Sequence, residues 1–338
     1  MLNFAIIGFG GLGKLHFSGV EELNRRLGNQ LNLVALCDID PEQFTKQTET
    51  NLGTGETNLD LSAYRLYTDA KEMLDKEKLD FVITALPTYI HAEIAIMAMD
   101  RGIHVFSEKP MALTLPEAEA MIEAKNRNGV KLMIGQVQRY CLNYVLIKEW
   151  LDSGKYGKLR RAHFNKISPE VTWSWRNWML DEKNSGGAAL DLHVHDVDSI
   201  NWTFGAPKAV TAAACDFKTG HETISTIYHY DDGTLITANA DWGMPSCYTF
   251  EEEFSVRFDK ATLVQYPTVL KVYPEDGEPY EYQVPEHLCY VDEVEDFIRC
   301  ILEDRESEIN PPESSLVSLK IALAEKLSAR RGSKKIYL

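Results

Sequence analysis

Up to about residue 135, short unbroken apolar runs alternate with stretches whose apolar positions recur every three or four residues. The runs at 4–7, 33–37, 81–86, 103–106 and 131–134 have the near-continuous apolar character of strands covered on both faces. Between the first two, Leu12, Leu15, Val20, Leu23 and Leu27 can form one helical stripe. Asp40-Pro41 supplies an N-cap and a first-turn proline to a following helix. Residues 93–101 read as a helix that stops at Gly102, and Thr114-Leu115-Pro116-Glu117 opens another with capping-box spacing. Alternating strands and helices predict parallel strands, right-handed crossovers and a doubly wound sheet. The polar stretch 51–60 reads as a surface loop within this domain.

After Arg139 the texture changes. Residues 142–153 look helical, 159–167 look like a strand, and 173–187 are aromatic and irregular. From residue 210 the strands come as hairpins: 223–230 and 234–241 flank Asp231-Asp232-Gly233, and 263–273 and 280–284 flank the Pro274 to Pro279 turn. Residues 291–302 and 316–328 return to helix. The expected fold class is α/β: an N-terminal Rossmann domain with a doubly wound parallel sheet over 1–137, then an α+β domain over 138–338 with a large, open, mainly antiparallel sheet. The last helices can pack back on the first domain.

The 338-residue length suits two domains of about 150 residues. No run approaches the ~20 apolar residues of a membrane span, so no membrane partner is expected. Lys and Arg number 35 against 51 Asp and Glu, a net charge of −16 that repels nucleic acid and anionic surfaces. Cys37, Cys141, Cys215, Cys247, Cys289 and Cys300 are scattered without a close pair and read as reduced thiols. The chain opens on a strand with no basic leader, and a cytoplasmic location is expected.

Gly8-Phe9-Gly10-Gly11-Leu12-Gly13 fits G-x-G-x-x-G. Glycine-rich turns are common, but this one follows a strand, opens a helix, and has Asp38 at the end of the next strand. Gly8 permits the tight turn, Gly10 lets backbone approach a pyrophosphate, and Gly13 lets helix pack on strand. The helix N-terminus favours the phosphate charge. A carboxylate at Asp38 suits the ribose hydroxyls and repels a 2′-phosphate, so NAD is favoured over NADP; the competing reading makes Asp38 a helix cap.

These residues resemble the glucose–fructose oxidoreductase / inositol dehydrogenase / rhizopine catabolism (Gfo/Idh/MocA) family. The resemblance rests on the glycine motif with His16, on Thr84-Ala85-Leu86-Pro87 with His91, on the stretch from Gly102 through Glu108-Lys109-Pro110, and on the block from Gly186 to Asp198. It runs from Met1 to the final helices. The chain departs from the family's pattern at His193, often a small residue there, and in the aromatic segment Trp173-Ser174-Trp175-Arg176-Asn177-Trp178.

Oxidation of a secondary alcohol needs hydride transfer and removal of the hydroxyl proton. Lys109 follows a strand's carboxyl end, where doubly wound sheets place ligands, and its ammonium could stabilise developing alkoxide. The Lys109-Pro110 bond is a candidate cis peptide. On one helix, Asp191 and His195 share a face, as does Asp198; His195 suits the acid/base role, and Asp191 binds the substrate hydroxyl or holds the imidazole. His16, His104, His163, His221, His229 and His287 read as structural. His193 and His195 with Asp191, Asp196 and Asp198 offer metal ligands, but the two imidazoles point about 200° apart on a helix, so no metal is expected. Arg139 lines the substrate pocket by resemblance or makes an inter-domain ion pair, with Lys166 similar. Trp175 and Trp178 stack on a sugar face or pack in the core. The resemblance places Leu86, Pro87, His91 and Glu108 with the glycine loop around the cofactor. It implies a sugar, polyol or inositol-like substrate and a homodimer or homotetramer. Two rivals stand beside this dehydrogenase reading: an NAD-dependent glycosidase of the same fold, and a non-catalytic nucleotide-binding regulator.

Overall fold

The computed structural model describes residues 1–46, 49–50, 53–54, 59–219, 221–266, 269–284 and 288–338. They form two compact units. The first comprises Met1–Gln136, Trp173–Trp178 and Cys289–Glu313, and the second Val137–Thr172, Met179–Leu288 and Ser314–Leu338.

The first unit is built on β1 (Leu2–Ile7), α1 (Gly11–Arg26), β2 (Leu31–Cys37), β3 (Arg65–Tyr67), α2 (Ala70–Lys76), β4 (Phe81–Thr84), α3 (His91–Met99), β5 (His104–Glu108), α4 (Leu115–Asn128) and β6 (Leu132–Gly135). Its strands lie in the order β3-β2-β1-β4-β5-β6, all parallel, which is the Rossmann order. The apolar runs are buried on both faces: Phe4 stacks on Phe81 at 4.7 Å. Phe297, from the helix Cys289–Leu302, meets Phe81 and Phe106 edge-on at 5.8 Å. That late helix joins the first unit because Val291, Val294, Phe297 and Ile298 fall on one buried helical face.

Local signals hold where side chains satisfy backbone. Thr114 Oγ1 accepts from Glu117 N, and Glu117 Oε2 accepts from Thr114 N at 3.0 Å, a complete capping box. Asp40-Pro41, read as opening a helix, caps a single 3-10 turn, Pro41–Phe44. Strand β3 lacks the apolar run that marks the others, because it is a short edge strand with Arg65 and Leu66 exposed. Of the polar stretch 51–60, residues 51–52 and 55–58 lie outside the described residues; Gly53–Thr54 pairs with Glu49–Thr50.

The second unit contains α5 (Leu142–Ser153), β7 (Leu159–Pro169), α6 (Ala188–Asp191), α7 (Val194–Phe204), β8 (Ala209–Cys215), β9 (Thr223–His229), β10 (Leu235–Met244), β11 (Glu251–Phe258), β12 (Ala261–Tyr266), β13 (Val269–Pro274), β14 (Tyr280–Glu281) and β15 (Ile336–Tyr337), with the helix Pro312–Arg330 before the last strand. Among the described residues these strands form one sheet of nine, ordered β14-β13-β12-β11-β7-β10-β9-β8-β15. Its pairings are antiparallel except β7 with β10. The run 263–273, expected as one strand, is two: β12 and β13 pair back on each other with Tyr266 opposite Val269. Residues 267–268 lie outside the described residues.

Candidate functional site

The glycine loop leaves the carboxyl end of β1. Gly8 has φ +89°, and a Cβ there would lie 2.2 Å from the Ala85 carbonyl oxygen. A Cβ on Gly13 would lie 1.9 Å from the Gly8 oxygen, so both positions require glycine for backbone contact. Gly10 differs: a Cβ there would meet nothing within 4 Å. It is the N-cap of α1, where no side chain caps the free N–H groups and the first turn carries no acid. Gly11 and Leu12 begin the helix. This open, positive helix end fits the pyrophosphate of NAD.

The Phe9 side chain is turned into the core, not presented at the surface of the loop. Its ring is buried against Phe17 and Phe44, and its N–H donates to Asp38 Oδ2 at 2.7 Å. Asp38 Oδ1 accepts from Asp40 N at 2.9 Å. Burial raises the Asp38 carboxyl above its ordinary pKa, while those backbone N–H groups pull it back. The carboxylate thus ties the glycine loop to the end of β2, and the caps it was expected to supply or replace are made by Asp40.

Leu86 and Pro87 follow β4. The buried His91 has Nε2 2.7 Å from the Leu86 oxygen and Nδ1 2.8 Å from the Pro110 oxygen. Burial lowers its pKa, so one ring N–H donates at a time, and the imidazole tethers two loops instead of reaching outward. Pro110 belongs to the second of them, and the Lys109-Pro110 peptide is cis. Glu108, at the end of β5, accepts from Lys109 N at 3.2 Å through Oε2, and its Oε1 lies 2.8 Å from His16 Nε2. Glu108 and His16 are both buried, and a Cβ on Gly135 would press on the Glu108 carboxylate at 3.2 Å. Lys109 itself is half-buried, its backbone fixed from both sides. His16 read as structural in the sequence, and its partner was not foreseen.

In the second unit, Asp191 and His195 do not share one continuous helix. Asp191 ends α6, and α7 begins at Val194; His193 N reaches back to Ala188 O at 2.8 Å and His195 N donates to Leu192 O at 3.4 Å. The wide turn followed by a tight one shifts the faces relative to an ideal helix. Asp191 is buried and His195 half-buried. Asp198, expected at a substrate hydroxyl, is spent inside the unit. Its Oδ2 accepts from Arg139 Nε at 2.8 Å, and Oδ1 accepts from Arg139 Nη2 at 2.6 Å and from Ser318 Oγ at 2.6 Å. Arg139 and Asp198 belong to the same unit, so their ion pair is not the inter-domain one expected. Lys166 likewise donates to Asp196 Oδ1 and to Tyr144 Oη at 3.1 Å.

Behind these lies a cluster that only the fold brings together. His193 Nε2 lies 3.3 Å from Glu325 Oε2 and 3.4 Å from Tyr228 Oη, all three fully enclosed. Burial, helped by the nearby Lys166 charge, pushes His193 down to about 3. Burial lifts Glu325 well above the carboxylate range and Asp196 to about 6, the latter against the pull of Lys166. No group of three or more metal-ligating side chains occurs among the described residues.

Trp175 differs from expectation: it sits with the first unit, its Nε1 donating to Asp40 Oδ2 at 3.2 Å. No helix among the described residues is long and apolar enough to cross a membrane. The cysteines are free thiols.

Residues 2–136 match the family described as an oxidoreductase family with an NAD-binding Rossmann fold, and residues 144–264 match the GFO/IDH/MocA C-terminal domain. A 2,7-anhydro-N-acetylneuraminate hydratase of Mediterraneibacter gnavus is 28% identical over 62% of this chain and 51% of its own length. The chain spans about half the length of the first curated relatives it matches. A scyllo-inositol 2-dehydrogenase (NADP(+)) of Bacillus subtilis is 28% identical over 86% of this chain and 90% of its own. Among solved structures, the WlbA dehydrogenase of Bordetella pertussis, in complex with NADH and UDP-GlcNAcA, superposes with a TM-score of 0.80 at 22% identity, covering 100% of this chain and 98% of that one. With both halves matched and the Rossmann order observed, the chain belongs to the GFO/IDH/MocA family.

Proposed function

We propose that this protein transfers a hydride between NAD and a carbon bearing a secondary hydroxyl in a sugar, polyol or inositol-like substrate. The observation that carries the reading is Lys109. It stands just past the carboxyl end of β5, on the same sheet edge as the glycine loop, with its backbone braced by Glu108 and, through Pro110, by His91. NAD, when bound, supplies the hydride acceptor. Lys109 holds the substrate oxygen and stabilises its negative charge as the proton leaves. His195 takes that proton as general base and returns it in the reduction direction. Asp191 binds the hydroxyl or steadies the imidazolium. With Arg139, Asp198 and Lys166 engaged in buried pairs, their role is to hold α7 and β7, which carry the site's framework.

The relatives named for inositols support the substrate class. We also propose a homodimer or homotetramer. Ile227, Leu235 and Tyr266 are exposed on one face of the nine-stranded sheet, which a second copy would cover. The test is fluorescence titration with NADH and NADPH side by side, followed by a polyol and sugar panel read as NADH formation. Tighter NADH binding and turnover of a polyol support the reading. Binding of neither dinucleotide refutes it, and product formation without NADH accumulation transfers it to the redox-neutral class.

A further inference from the structure

Helix α6 is a single turn, Ala188–Asp191, too short to hold its own direction in water. Its junction with α7 is irregular as well. The His193 N–H spans five residues back to the Ala188 oxygen, and the Asp196 N–H only three to the His193 oxygen. Such a break leaves no regular ladder to set the angle between the two helices. That angle also governs Asp191 and His195, which lie two residues to either side of His193. Two consecutive residues of the helix Pro312–Arg330 take hold here. Glu325 Oε2 lies 3.3 Å from His193 Nε2, which is also 3.4 Å from Tyr228 Oη on β9, and all three side chains are enclosed. Lys326 Nζ donates to the Gly186 oxygen, just before α6, and lies 2.9 Å from Glu182 Oε1. Enclosure favours the neutral forms of both His193 and Glu325, so their contact joins uncharged groups.

We propose that Glu325 and Lys326 are positioning residues: the helix Pro312–Arg330 grips α6 at both ends, through His193 and the Gly186 turn, and so sets the angle between Asp191 and His195. The proposal rests on the hydride-transfer reading, in which Asp191 and His195 serve the proton step, and adds two residues that never touch the reactants. His193 gains a purpose in this arrangement. A small residue at that place would offer Glu325 nothing to hold, whereas an enclosed imidazole ties the break to the helix behind it. A proton acceptor displaced by about 1 Å from its productive place loses about 10²-fold in rate, so the grip acts on turnover more than on binding.

Three variants test it. Glu325→Leu keeps the bulk and removes the polar contact, and Glu325→Gln reproduces a protonated carboxyl. Lys326→Met keeps the stem and removes the ammonium, while Arg330 stays on Glu182 at 2.5 Å. Steady-state kinetics use NAD with myo-inositol, or with the polyol the panel selects where that is inert. Glu325→Leu and Lys326→Met are expected to lower kcat about 10- to 100-fold, with KM and NADH affinity within about threefold of wild type. Glu325→Gln is expected to keep kcat within about threefold of wild type. The His195 ring titration followed by NMR needs no substrate: its midpoint should move in the Leu and Met variants and stay in Gln. A lowered urea midpoint with kcat and the His195 titration both unchanged overturns the proposal, because the helix then braces the fold alone. A Glu325→Gln variant as slow as Glu325→Leu overturns it too. Where Glu325→Leu does not fold, Lys326→Met decides by the same two readouts. A wild type that turns over no member of the panel refutes the hydride-transfer reading, whereas an active wild type with insensitive variants refutes only the positioning.

Discussion

Asp198→Ala distinguishes a scaffold role from a substrate role for the Arg139–Asp198 pair. The Arg139 side chain has no solvent exposure and that of Asp198 only 2%. Three hydrogen bonds converge on the carboxylate, two from the guanidinium and one from Ser318, and Ser314 Oγ lies 3.0 Å from Arg139 Nη2. Removing the carboxylate takes away the counter-charge of a fully enclosed guanidinium. Breaking one partner of such a buried pair costs about 3–5 kcal/mol, far more than the 0–1 kcal/mol of an exposed pair. Replacing both partners, as in Arg139→Met with Asp198→Leu, removes the stranded charge and should recover most of that loss. The assay is urea unfolding of the wild type, both single variants and the double variant, with the coupling taken from the cycle. A single-variant cost below about 1 kcal/mol, or a double variant no more stable than the worse single, refutes the argument. It would return Asp198 to the substrate.

The remaining predictions concern chemistry, cofactor choice and pH. His195→Ala should lower turnover by about 10²–10⁴ with NADH affinity retained, as steady-state kinetics beside titration will read; unchanged turnover removes His195 from the proton step. Asp38→Ala should move the NADH-to-NADPH affinity ratio toward NADPH. Because Asp38 also accepts the Phe9 N–H, both affinities should fall somewhat, and a ratio that stays put sinks the ribose assignment. His193, held near 3 in the fold and near 6.5 when unfolded, binds its proton only in the unfolded chain between those values. The His193 contribution to stability should therefore fall with a slope of up to about 1.4 kcal/mol per pH unit as pH drops from about 6.5 toward 3. Glu325, raised by the same enclosure, works the other way: its protonated form favours the fold, an advantage lost as pH rises above about 4.3. His193→Asn should flatten the acid limb, and equal slopes in the two proteins between pH 6.5 and 5 would show that the imidazole is not buried neutral.

What could be read from the chain alone followed the range of the interactions. The glycine loop is a local device: strand, turn and helix are contiguous, and the steric demands on Gly8 and Gly13 come from backbone a few residues away, apart from Ala85. The capping box at Thr114 is local for the same reason. Lys109 was legible as a position at a strand end, but its brace was not. His16 and Glu108 lie 92 residues apart, and only the parallel order of β1 beside β4 and β5 brings α1 over the end of β5. Arg139, Asp198 and Lys166 are a sharper case. A charged residue at a domain junction has the same sequence signature whether it meets a ligand or a buried counter-ion, and the choice is made by partners distant along the chain, Ser318 among them. Trp175 carries the argument furthest. The aromatic segment reads equally as a sugar platform or as core, because an aromatic face suits both. The hydrogen bond to Asp40 spans 135 residues and no periodicity announces it, yet it seats the ring with the first unit. Polar side chains with one strong donor, such as an indole N–H, are thus the residues whose role is least fixed by local pattern and most decided by the tertiary partner they find.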